Sequence, residues 1–144
     1  MAYPTLPEEA QKELDNVAAK YSFFIHTQQY PEAQNIITDL FHKMLSWQEK
    51  YGQRFHKGYA IHNIGYTLYL QNNYKDALKY FILAYIEDLL SADRLEEADE
   101  TAFWLEFIIN EKLLKKNLVE PLLKEADELT KIFAASRKTA STKN

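Results

Sequence analysis

Cysteine is absent from this 144-residue chain, which excludes disulfides, a thiolate nucleophile and zinc-finger ligation. Glycine and proline are scarce, at three and four, too few for the many tight turns of an all-β protein. Long apolar runs are also missing. The longest, Tyr80–Ile86, falls far short of the roughly 20 residues a membrane helix needs. The first residues, Met1-Ala2-Tyr3-Pro4-Thr5, lack the basic stretch and apolar run of a secretory leader. A cytoplasmic protein that engages no membrane is the expectation. No strong charge of one sign is present either. The formal net charge is −4 with acids and bases interleaved, so nothing marks a nucleic-acid surface. The exception is 135–144, which holds three basic residues and no acid, and reads as a frayed, disordered basic tail after a single domain over 1–134.

What the chain does have is helix. Hydrophobic residues make up 47% of it, with ten Tyr and eight Phe, and the good helix formers are abundant. Apolar positions at Leu14, Val17, Ala18, Tyr21, Phe24 and Ile25 make one helical stripe that should start near Thr5. Thr5 and Glu8 have capping-box spacing there. Pro31 suits the first turn of a second helix, which the periodic residues Ala33 to Trp47 carry to about Tyr51, with Gly52 as its stop. Further helices are expected over Phe55–Leu70 and Tyr74–Leu90, with Asn73 as a cap. Two more should cover Arg94–Lys115, opened by Asp93 and Glu96, and Val119–Phe133. Every connection is then short, which makes neighbours antiparallel. The expected fold is all-α: about six helices as three stacked helical hairpins.

The middle hairpin carries a family likeness. Ile61, Ile64, Gly65, Leu68, Tyr74, Ala77, Phe81 and Ala84 occur at the signature spacing of a tetratricopeptide repeat, a 34-residue helix–turn–helix unit, and Gly58–Ser91 resembles one complete copy. Small Gly65 and Ala77 suit the crossing of two helices, with Ile64, Leu68 and Phe81 filling the space around them. Ile61 stands where Trp is usual and Leu89 where Pro is usual. Tyr30-Pro31-Glu32-Ala33 resembles the start of another second helix, but Ala33 precedes Ala77 by about ten residues more than one repeat. The third hairpin keeps the helical pattern without the motif.

The resemblance implies a superhelical stack that binds a protein or peptide. Carried over by position, the groove-facing residues are Tyr59, His62, Asn63, Tyr66 and Tyr69, with Lys57 at the helix entrance. Tyr and His offer large amphipathic contact area, and Asn can bond a peptide backbone. The alternative is that a neighbouring hairpin covers these side chains as core. A second use is self-association: Phe103, Trp104 and Phe107 spread around more than one face of the fifth helix, and a second apolar face must be buried in the monomer or against a homodimer partner.

Catalysis has little to stand on. His26, His42, His56 and His62 lack zinc-pair spacing, so no metal or cofactor is expected. The acids Glu96, Glu97, Asp99 and Glu100 open a helix, where its dipole favours carboxylates. Neither a glycine-rich phosphate loop nor a Gly-x-Ser-x-Gly elbow exists. Arg54 with His56 and His62 is the remaining acid–base constellation, and His62 its leading catalytic group. The reading is therefore a non-catalytic adaptor or scaffold. The alternatives are a self-associating structural or regulatory domain and a small helical enzyme.

Overall fold

The computed structural model describes residues 4–90, 95–125, 127, 128 and 131, and for 95–102 the backbone alone. Five helices run in chain order: α1 (Glu8–His26), α2 (Tyr30–Tyr51), α3 (Gly58–Leu70), α4 (Tyr74–Leu89) and α5 (Leu95–Asn110). A sixth, α6, covers 116–125. The protein is all-α, and no strand occurs among the described residues. Consecutive helices pack on one another, α1 on α2, α2 on α3, α3 on α4 and α4 on α5. Asp93 and the Glu96 side chain of the expected α5 cap, residues 126, 129, 130, 132 and 133 of the expected last helix, and the basic tail lie outside what is described.

The helix starts differ from expectation in their chemistry. α1 begins at Glu8 with Pro7 in the cap position, so Thr5 and Glu8 form no capping box. Glu8 occupies the first helical position, too early to reach back to its own cap. Asn73 does stand at the cap of α4, but its amide donates to Asp76 Oδ2 at 3.2 Å instead of its oxygen accepting a backbone N–H. α3 starts at Gly58 rather than Phe55, because Phe55 is drawn out of the helix into the core, 1% exposed. α5 ends at Asn110, five residues before the expected Lys115.

The helix ends repeat one device. After α1, Gln28 takes a left-handed φ of 59°, its N–H reaches Ile25 O, and the N–H of Gln29 reaches Phe24 O. After α3, Asn72 takes φ 63° with bonds to Tyr69 O, while Asn73 reaches Leu68 O. After α5, Lys112 takes φ 53° with bonds to Ile109 O, while Leu113 reaches Ile108 O. Each is a Schellman turn closed without glycine. Each reverses the chain into a second helix, so the turns mark three hairpins: α1–α2, α3–α4 and α5–α6. Gly52 ends α2 at φ 63° and opens the longer 52–57 connection between the first two hairpins.

Burial divides into two clusters. One gathers Val17 and Tyr21 of α1, Ile37, Leu40, Met44 and Trp47 of α2, and Phe55, Ala60 and Ile64. The other gathers Leu78, Phe81 and Ile82 of α4 with Ile108 of α5 and Val119 of α6. Leu68 touches both. Within α3–α4 the helices cross closely at Gly65, where an added Cβ would meet Phe81 Cδ1 at 3.0 Å and Ala77 O at 3.3 Å.

Candidate functional site

The most heavily connected polar residues cluster where the 52–57 loop meets the end of α4. Glu87 and Asp88 occupy the last turn of α4, where a helix dipole disfavours carboxylates. Both are nonetheless buried, 5% and 2% exposed, because they face the start of α3, where negative charge is favoured. Glu87 accepts from Arg54 Nη2 at 3.1 Å and from the backbone N–H of Lys57 at 3.2 Å. His56 Nε2 lies 2.8 Å from Asp88 Oδ1. Lys57, 6% exposed, donates its ammonium to Gln48 Oε1 at 2.6 Å and Phe55 O at 3.1 Å, and lies 3.3 Å from Glu87. Burial lowers the Lys57 pKa, the nearby Glu87 opposes that shift, and Arg54 reinforces it. These groups tie the α2–α3 loop to α4.

Beside this cluster an open groove of about 800 Å³ runs between α2 and α4, with α3 as its floor. Ile61, Ile64 and Leu68 line the floor, Phe41 faces in from α2, and Tyr80, Leu83 and Ile86 from α4. Leu83 is 51% exposed. Its polar lining is Gln34 and Thr38 of α2, Arg54 and Lys57 before α3, and Asp76, Lys79 and Glu87 of α4. α2 and α4 each pack on α3, and the groove lies between them.

The residues expected to face a groove occupy the opposite side of α3. Tyr59 is exposed. His62 and Asn63 are half-buried, with His62 5.4 Å from the Phe81 ring and the Asn63 amide returned to Tyr59 O of its own helix. Tyr66 and Tyr69 lie under α5, with Trp104 at 5.4 and 5.1 Å between ring centroids and Phe107 at 6.0 Å from Tyr69. Lys57 belongs to the ionic cluster and to the α2–α4 groove instead. Trp104 and Phe107 therefore turn inward, and Phe103 alone of that trio stands out, 57% exposed.

Of the expected acid–base constellation, Arg54 pairs with Glu87 and His56 with Asp88, two adjacent acids at the end of α4. His62 packs elsewhere, against Phe81. Glu87 and Asp88 were not singled out from sequence. A clue existed in two adjacent acids ending a helix with no base in its last turn. No group of three or more metal-ligating side chains occurs among the described residues, and no described helix is long and apolar enough to cross a membrane. No family model matches this chain, and no curated protein or solved structure matches it.

Proposed function

We propose that this chain is a non-catalytic interaction module of tetratricopeptide-like hairpins that receives an amphipathic helix of a protein partner. The observation that carries this reading is the apolar groove between α2 and α4. Two flanking helices over a helical floor provide the usual seat for a third helix, read by apolar anchors three and four residues apart. The polar side chains of the groove lining suit the exposed face and termini of such a ligand. The aromatic face of α3 supports the reading less, because Trp104 and Phe107 already cover Tyr66 and Tyr69. Capture from native lysate tests it with two surface variants, Leu83→Glu in the groove and Tyr59→Ala on the opposite face. A partner kept by wild type and Tyr59→Ala but lost by Leu83→Glu supports the groove. The reverse pattern moves binding to the α3 aromatic face.

A second reading, self-association, rests on Phe103, which stands exposed beside Trp104 and Phe107. Light scattering on Phe103→Glu tests it: a dimer that dissociates in the variant supports it, and an unchanged monomer removes it.

A further inference from the structure

A second cavity lies at the α5–α6 junction, away from the α2–α4 groove. It has a volume of about 670 Å³, within the usual range for small-molecule sites. Its walls are aliphatic: Ile109 from α5, Leu113 and Leu114 from the turn, and Val119 and Leu123 from α6. Its rim is cationic, formed by Lys112, Lys115 and Lys116. The one acid in the lining, Glu120, is 3.4 Å from Lys116. The rim thus keeps a net positive charge after that pair is counted.

The placement of these lysines is informative. Lys115 and Lys116 sit at the start of α6, where the helix dipole disfavours cations and the first N–H groups point away from the helix. Lys112 holds a left-handed backbone conformation that glycine would adopt more readily. An anion at this end of α6 would meet the dipole and balance the positive charge that the Lys116–Glu120 pair leaves over. An acyl chain would fill the aliphatic walls. The remaining chain, 132–144, carries Arg137, Lys138 and Lys143 without an acid, so its charge does not match the rim.

We propose that the α5–α6 pocket binds a free long-chain carboxylate, its head held by Lys112, Lys115 and Lys116 and its chain lying against Leu114, Val119 and Leu123. Calorimetric titration of the full chain with dodecanoate, below its micelle concentration, tests this. Dodecyltrimethylammonium serves as the cationic match and a glutamate-rich amphipathic peptide as the macromolecular match. Saturable one-to-one binding of dodecanoate is expected, about tenfold or more tighter than the cationic amphiphile. Lys112→Glu/Lys115→Glu should weaken it by a similar factor, and Leu123→Trp, which fills the pocket, should abolish it in a chain that keeps its helical circular dichroism. Equal binding of the two amphiphiles, no saturable binding of dodecanoate, or binding of the acidic peptide alone would each overturn the assignment. So would undiminished binding by both variants.

Discussion

Tyr21 joins two hairpins through one hydroxyl. Its hydroxyl donates to Thr67 Oγ1 at 2.7 Å, and the Thr67 hydroxyl donates in turn to Asn63 O at 2.7 Å, a carbonyl that also lies 3.2 Å from the Tyr21 oxygen. Burial raises its pKa well above the ordinary value near 10, with the Thr67 bond opposing the shift. A phenol raised in the folded state contributes stability that is complete below about pH 10 and is lost as pH rises further. Lys57 acts in the opposite sense: its lowered pKa means that folding gains as pH climbs toward about 10.5. Tyr21→Phe should cost about 1 kcal/mol near neutrality and flatten the alkaline loss, as read by urea titrations from pH 7 to about 11. Thr67 keeps its own acceptor in that variant, so no donor is stranded. At Gly58 an added Cβ would collide with Asp88 Oδ1 and the His56 ring. Gly58→Ala and Asp88→Ala should therefore lower stability by comparable amounts, about 2–3 kcal/mol, because both disrupt the same buried hydrogen bond. A Gly58→Ala chain as stable as wild type would contradict the packing described there.

At the scale of elements, the three Schellman turns make a graded prediction. A left-handed conformation costs an ordinary L-residue about 1–2 kcal/mol, and asparagine tolerates it best. Gln28→Gly should raise stability by about 0.5–1 kcal/mol, and Asn72→Gly by less, when thermal midpoints are compared. Much of this level was legible in sequence. Helical periodicity located all six helices, and Pro31 and Gly52 marked the start and stop of α2, because those constraints are local. The turn residues were less legible, since glycine is the usual signal and none of these three positions holds it. Thr5 and Glu8 misled for a related reason: capping spacing is a local pattern, and Pro7 moved the helix start past it. The Glu87–Lys57 and Asp88–His56 contacts were invisible because they join positions about 30 residues apart, and no local rule pairs them. Periodicity alone does not say which neighbour covers a helix face: α5 covers Tyr66 and Tyr69, while Tyr59 stays exposed and His62 packs on Phe81 of α4.

For the whole molecule, the α2–α4 groove lies apart from the aromatic face of α3. Leu83→Glu places a charge where the groove is open, and Leu83 is already 51% exposed, so the thermal midpoint should move little while partner capture is lost. A large loss of stability instead would mean that Leu83 supports the core rather than a ligand. The division of the interior into two clusters has a consequence of its own. Trp47 belongs to the first cluster and Trp104 packs on the second, and these are the two tryptophans of the chain. Each half of the protein thus carries its own fluorophore. Single-tryptophan chains, Trp47→Phe and Trp104→Phe, would report on the loosening of the two halves separately. Where their denaturation curves part, Leu68 is the hinge at which cooperativity breaks. Where they coincide, that one side chain and its neighbours suffice to make two cores melt as one.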